Sequence, residues 1–367
     1  MTLKNKVILL ISPEAWGKSF VSKHHYAKTL AERGNKVYFL NPPTSKEEVI
    51  SVSDNLYIIN KPLKFRGIGR LPNWLGAILT KWELQVVEQL IGEEVNIIWN
   101  FDSSRFFNLS RIKKPFKICH IVDMAENIHR DLLATTSDIC FCTSDFIKQE
   151  LQPDNDHVYK IHHGYQESRN NYQLEESFDQ HKIQVGYVGN LSRFCIDWKI
   201  ILQLIKEYPD IDFNFIGSYT ISNLSRETLL KEYMEELQRA SNVRLLGPKE
   251  SYLIPSYLSK MDVLLSVYKM DTEGDIKQHS NLHKTMEYLG SGKVIVSSYS
   301  DEYKDYPELL IMSKKNEELL EKFREVVSDI RTYNSSEKEH LRRLFVENHT
   351  YSKQLDKIER IIDNHLS

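Results

Sequence analysis

One segment constrains this chain more than any other: Ser280-Asn281-Leu282-His283-Lys284-Thr285-Met286-Glu287-Tyr288-Leu289-Gly290-Ser291-Gly292-Lys293-Val294-Ile295-Val296. Its order is polar loop, short helix, glycine-rich break and β-branched strand. In an α/β sheet that order sets a helix N-terminus at the ligand edge, where backbone N–H groups and the helix dipole attract an anion. Lys284 adds a full positive charge at the same spot, and Glu287, three residues on, shares its helical face. A carboxylate there can accept two hydroxyl hydrogen bonds, as from a ribose. Phosphate and sugar together point to a nucleotide. The competing reading is an ordinary amphipathic helix whose Lys–Glu pair faces water.

The rest of the chain must fold around this feature. At 367 residues two domains are the natural expectation, and 41% hydrophobic with 11% aromatic content fills two cores. A net charge of −3 gives no reason for non-specific nucleic-acid binding. Residues 1–174 carry roughly +3 and the remainder roughly −6, which suits an N-terminal half facing an anionic surface. Cys119, Cys140, Cys142 and Cys195 have neither metal-site nor disulfide spacing and read as core residues. Lys4 and Lys6 precede only Val7–Ile11, too short for a signal peptide and better read as a buried strand. No apolar run reaches membrane-spanning length. The expected location is cytoplasmic, with peripheral attachment at the inner face of the cell membrane as a candidate.

Val7–Ile11, a loop, a helix over 20–33, Gly34 and a strand at Lys36–Leu40 open a Rossmann-like unit. No G-x-G-x-x-G follows the first strand, so this is not a dinucleotide site. Further strands are expected at 56–59, 96–99, 117–122, 139–143 and 158–161, with a helix over 78–91. Polar residues 165–181 read as a linker. A second α/β unit then begins at Ile183–Gly189, with strands at 212–217, 243–247, 263–268 and 294–297. A last helix over 350–365 has Leu355, Ile358, Ile361 and Ile362 on one face.

The opening segment resembles the donor-binding motif S-N-P-L-K-x-x-E-Y-L-A-x-G-K-P-V-V of the group 1, family 4-like, glycosyltransferases. Ser280, Asn281, Lys284, Glu287, Tyr288, Leu289, Gly292 and Lys293 match; Leu282, His283 and Val294 depart. His279 stands where many relatives carry a second glutamate. The resemblance implies an α/β GT-B fold, with two Rossmann-like domains facing across a cleft and a C-terminal helix crossing back to the first. The expected domains are 1–170 for the acceptor, 181–348 for the nucleotide-sugar, and 349–367 for the returning helix. Gly189, Asn190 and Arg193 resemble the family's first turn in the second domain, and Gly217 and Tyr268 lie at later strand ends. With Ser280, Asn281, Lys284 and Glu287 they form the candidate donor site.

The resemblance also implies the activity: metal-independent hexosyl transfer from a nucleotide-diphosphate sugar, a co-substrate, with no cofactor. The acceptor is a saccharide or lipid-linked molecule in bacterial surface polysaccharide or glycolipid synthesis. Relatives retain or invert the anomeric configuration, and both stay open. A GT-B nucleotide-sugar epimerase and a non-catalytic nucleotide-sugar-binding protein are the alternatives. Asp123, at the end of an apolar strand, is the candidate catalytic base, with an N-cap as its plainer role. Trp16 and Gly17 in the first loop are candidate acceptor contacts. Asp210-Ile211-Asp212 has D-x-D spacing but falls at the wrong sheet edge for a ligand, so no metal site is assigned. Residues 61–75 interleave Lys61, Lys64, Arg66 and Arg70 with apolar residues, which suits a flexible loop on an anionic membrane surface.

Overall fold

β-Branched runs become the strands of two largely parallel sheets, and left-handed Gly34, Gly92 and Gly292 close three of the helices between them. The structure, a computed structural model, describes residues 3–17, 20–65, 67–123, 128–167, 172–219, 227–272, 274–275 and 281–367. The chain divides into two units: Met1–Gly164 with Tyr351–Ser367, and Tyr165–Thr350.

The first unit contains β1 (Val7–Ile11), β2 (Lys36–Leu40), β3 (Glu48–Ser53), β4 (Leu56–Asn60), β5 (Ile97–Asn100), β6 (Phe116–Ile121), β7 (Ile139–Cys142) and β8 (Val158–Lys160). They lie in the order β3-β4-β2-β1-β5-β6-β7-β8. All neighbours are parallel except β3 and β4. β3 is absent from the sequence-based expectation. It is an edge strand whose Val49, Ile50 and Val52 are exposed, so neither a buried run nor a clean alternation marks it. Helix α1 (Ser22–Glu32) ends before Gly34, whose φ is +86°. Helix α2 (Asn73–Ile91) begins at Asn73 rather than at 78, directly after Pro72. The helix Tyr351–Leu366 buries Tyr351, Leu355, Ile358 and Ile362 against Ile8, Leu10, Tyr26 and Trp99 of this unit.

The second unit contains β9 (Gln184–Val188), β10 (Asp212–Ile216), β11 (Val243–Gly247), β12 (Val263–Ser266), β13 (Val294–Ser298) and β14 (Ile311–Ser313). Their order is β11-β10-β9-β12-β13-β14, all parallel. From β9 the chain winds outward to β10 and β11, then returns to the other side at β12. That reversal is the topological switch point, where the carboxyl ends of adjacent strands diverge and leave a crevice. The helix His283–Ser291 joins β12 to β13, so its N-terminus lies at this edge. Its other end is closed by Gly292, with φ +81°, and by Arg342, which is 1% exposed and donates to the Gly292 carbonyl at 2.9 Å and the Tyr333 carbonyl at 3.0 Å.

Candidate functional site

The strand ends of the second unit are laced together by glycines. Gly189 donates to the Ile216 carbonyl at 2.9 Å, Gly217 to the Gly247 carbonyl at 2.9 Å, and Leu191 to the Ser218 carbonyl at 2.8 Å. Gly189 and Gly217 have φ of +147° and +148°, which L side chains rarely adopt. A Cβ on Gly217 would lie 1.9 Å from the Gly189 carbonyl oxygen. The two loops therefore press backbone on backbone, and the floor beside β9 carries no side chain.

Lys284 rises over this floor from the first turn of helix His283–Ser291. The residue is half-buried, but its ammonium is enclosed by aromatic rings. Nζ is 3.9 Å from the Tyr187 ring centroid, 4.8 Å from that of Tyr268 and 5.5 Å from that of Tyr288. Its hydrogen bond to the Val188 carbonyl is long, at 3.4 Å. Ring faces attract a cation yet replace its water poorly. Desolvation therefore lowers the Lys284 pKa to about 7, helped by the nearby charge of Arg193 and opposed by Cys195 and Glu287. The cage is itself braced: the Tyr288 hydroxyl accepts from Val188 N–H at 2.7 Å, and the Tyr187 and Tyr268 hydroxyls lie 3.4 Å apart.

Glu287, one turn on, is also desolvated, and its pKa rises to about 7 despite the Lys284 charge. Two groups of opposite sign are thus held near neutrality, where an arriving ligand can complete their ionisation. The N-cap residue of helix His283–Ser291 is Leu282, whose side chain makes no cap bond, and Asn281 is buried just ahead of it. Arg193 is exposed and enters no ion pair among the described residues. Asn190 is committed to its own turn, its side chain accepting from Ser192 N–H at 2.9 Å. Asp275 is likewise taken up by Thr272, at 2.8 Å from its hydroxyl. Ser280, with His279 and Glu273, lies outside the described residues.

The sequence pattern missed the aromatic cage. Tyr187 reads there as a strand residue two positions before Gly189, and Tyr288 as a motif match without a task. A further support was also invisible. Ser298 on β13 donates to Asn316 at 2.8 Å, and Asn316 holds both the Tyr268 carbonyl, at 2.6 Å, and Asp197, at 2.8 Å. That network fixes the loop carrying Tyr268 through residues far apart in the chain.

In the first unit the candidates separate. Asp123 is exposed at the carboxyl end of β6; residues 124–127 lie outside the described set. His120, on the same strand, is fully buried among Trp99, Phe101 and Phe141. Trp99 Nε1 donates to its Nδ1 at 3.2 Å, and burial pushes its pKa down to about 3, so it is a neutral core group. The half-buried Trp16 ring packs against Phe20, His24 and Phe39, with centroids 5.0, 5.5 and 5.0 Å away. Gly17 has no neighbour that a Cβ would crowd. Lys61 is buried and paired with Glu83, which removes it from any surface role. Lys64 sits 3.4 Å from Glu47, Arg70 is exposed, and Arg66 lies outside the described residues. Residues 61–75 are not without helical order: Ile68–Arg70 forms a 3-10 turn and α2 starts at Asn73. Among the described residues there is no cluster of His, Cys, Asp or Glu that could hold a metal, and no helix long and apolar enough to cross a membrane.

Comparison with known proteins gives the family context. Residues 196–360 match the family model described as glycosyl transferase-like. No curated protein sequence matches the chain. Among solved structures, sucrose-phosphate synthase from Thermosynechococcus elongatus superposes with a TM-score of 0.72 at 12% identity, covering 98% of this chain and 99% of that one. Anabaena HepE in complex with UDP-glucose gives 0.69 at 12%, covering 98% and 100%. A glycosyltransferase from Rickettsia africae ESF-5 gives 0.67 at 12%, covering 99% of both. The fold is GT-B.

Proposed function

We propose that this chain of GT-B fold is a glycosyltransferase that takes its sugar from a nucleotide-diphosphate donor held on the second unit and passes it to a saccharide or lipid-linked acceptor. The observation that carries the reading is Lys284. A cation enclosed by Tyr187, Tyr268 and Tyr288, in the first turn of a helix at the switch point of the sheet, has among the described residues only a long hydrogen bond to the Val188 carbonyl. A diphosphate would supply the missing one.

In this reading Lys284, Arg193 and the helix N-terminus receive the charge that develops on the leaving diphosphate as the bond from its oxygen to the sugar C1 breaks. This is the basis for a metal-independent hexosyl transfer. The backbone floor at Gly189 and Gly217 admits the phosphates at close range, and Glu287 accepts hydrogen bonds from the ribose hydroxyls. The acceptor oxygen forms the new bond to C1. Its proton passes to Asp123 if the configuration inverts, or to the departing phosphate if it is retained. Surface polysaccharide or glycolipid synthesis in a bacterium is the setting we assign, with residues 61–75 meeting an anionic membrane surface. The neighbour HepE, solved with UDP-glucose, supports that class of donor.

Calorimetric titration with UDP-glucose and with other nucleotide-sugars tests the donor site. Lys284→Ala should weaken the preferred donor on the order of 10-fold or more, as loss of a charge-assisted hydrogen bond does. Undiminished affinity in a folded Lys284→Ala variant would remove the assignment.

A further inference from the structure

Tyr165 is the first residue of the second unit, and its backbone is tied to the last two residues of that unit. Its N–H donates to the His349 carbonyl at 2.8 Å, and it bridges in parallel to Thr350. With the backbone fixed there, the side chain reaches helix His283–Ser291 at Gly290. The fit is tight: a Cβ on Gly290 would lie 2.6 Å from the Tyr165 hydroxyl oxygen and closer still to ring carbons Cε2 and Cζ. A helix penalises glycine against alanine, and Gly290 has no left-handed conformation to require it. The seat of the Tyr165 ring is the reason the structure offers. The donor-binding motif that this segment resembles has alanine at the same place, so this chain departs from it where the ring lies.

Lys284, Glu287 and Gly290 succeed one another at three-residue spacing along the half-buried face of the helix, with Thr285, Met286, Tyr288 and Leu289 buried behind them. Helical side chains lean toward the helix N-terminus, so the place of a side chain at 290 lies alongside Glu287. The Tyr165 ring stands in that place. Its phenol is in the field of the carboxyl group. Burial first, then the charges of Glu167 and Glu287, raise it above the ordinary tyrosine value, with Arg343 opposing and Glu347 adding. The charged groups that meet at this corner are therefore Lys284 and Glu287 on one helix, Glu167 beside Tyr165, and Arg343 and Glu347 on helix Ser336–Glu347. Glu287 is only half-buried as a residue, so whatever covers its carboxyl group decides how much water it keeps and which way it points.

We propose that Tyr165 is a positioning residue for Glu287: its ring, seated in the gap at Gly290, covers one side of the carboxyl group and turns its oxygens toward the ribose edge of the site. That the carboxylate meets ribose rests on the donor reading above; the cover over it is a property of the free protein. NMR with carboxyl-labelled glutamate reads the Glu287 titration in the free protein, its resonance identified by its absence from Glu287→Gln. The wild-type midpoint lies at about 7. Tyr165→Ala admits water and should lower the midpoint by about one unit or more. Gly290→Ala pushes the ring out while giving the helix a better former, and should lower the midpoint likewise. Tyr165→Phe keeps the ring and should titrate as the wild type does. In Tyr165→Ala/Gly290→Ala the new methyl meets no ring and should add nothing to Tyr165→Ala. UDP-glucose against its deoxyribose counterpart reads the direction of the carboxylate. At about pH 8, where the carboxylate is largely ionised, the preference for ribose should fall about threefold or more in each single alanine variant. A Glu287 midpoint unmoved in both alanine variants overturns the proposal, as does a ribose preference unmoved in both. Additive effects of the two alanines overturn it too, because ring and gap would then act separately. Failure of UDP-glucose to bind the wild-type protein counts against the donor reading, and the free-protein midpoints then decide whether Tyr165 governs the carboxyl group.

Discussion

Donor affinity should depend on pH as a bell centred near neutrality, with one limb owed to each member of the Lys284–Glu287 pair. Lys284 in the free protein has a pKa of about 7, set by desolvation in its tyrosine cage. A diphosphate needs the charged ammonium. At about pH 9 only about one molecule in a hundred is protonated, against about one in four with both groups ionised at the optimum near pH 7, so binding should be about 25-fold weaker than at its best, equivalent to about 1.9 kcal/mol. Glu287 also titrates at about 7, because burial opposes its charge. A ribose hydroxyl donates best to the carboxylate, which at about pH 6 is ionised in about one molecule in ten, so on the acid side binding should be about threefold weaker than at the optimum. The two groups interact, so the apparent constants belong to the pair. UDP-glucose is the suitable probe, because both phosphates are esterified and neither titrates in this window. Calorimetry in two buffers of different ionisation enthalpy should show proton uptake on binding at about pH 8 and release at about pH 6. Glu287→Gln should lose the acid limb and keep the alkaline one. The free protein's stability follows by linkage. The folded Glu287 pKa lies above its unfolded value of 4.5, so the folded state binds more protons and stability falls as pH rises from about 4.5 to 7. The folded Lys284 pKa lies below its unfolded value of 10.5, so the unfolded state binds more and stability recovers from about 7 to 10.5. Wild-type affinity that stays flat between about pH 7 and 9 would refute the caged-lysine reasoning.

Three further outcomes are expected. Gly217→Ala places a Cβ 1.9 Å from the Gly189 carbonyl oxygen at φ +148°, and should cost at least about 2 kcal/mol in urea unfolding and abolish donor binding; a folded variant of normal affinity would mean that the loops yield freely. Arg342→Ala strips the Gly292 and Tyr333 carbonyls of buried donors and should lower stability by about 2–4 kcal/mol, read from the denaturant midpoint, while donor affinity measured on the folded fraction changes little. Asp123→Asn should reduce turnover about 10²–10⁴-fold if the carboxylate is the general base and the product anomer is inverted; a milder loss with retained configuration assigns it to acceptor orientation, and wild-type turnover leaves it as a loop residue.

Why the sequence made the candidate donor site legible and left the acceptor candidates scattered is a question of how local each signal is. The order loop, helix N-terminus, Lys284, Glu287, Gly292 and β13 is contiguous, and each step has a local cause: free N–H groups at the helix start, helical spacing, a left-handed C-cap at φ +81°. The parallel strands were equally legible, since a strand buried on both faces must be continuously apolar, as Ile8–Ile11 and Val263–Leu265 are. The cage around Lys284 was not. It gathers Tyr187 from β9, Tyr268 from the end of β12 and Tyr288 from the next helix, and only the switch in strand order brings them together. β3 escaped because an exposed edge strand has no burial pattern to betray it, and Trp16 is ambiguous because an aromatic in a first loop reads alike whether it faces a sugar or packs on Phe39. Residues 61–75 show the same limit in its strongest form. Four cations in a row of apolar residues look like one basic surface, yet Lys61 turns inward to Glu83 while the exposed aromatics Trp74 and Trp82 come from α2. Composition records which charges a segment has; pairing across the fold decides which of them a ligand or a membrane can meet, and that pairing is where variants in this protein will separate structural from functional roles.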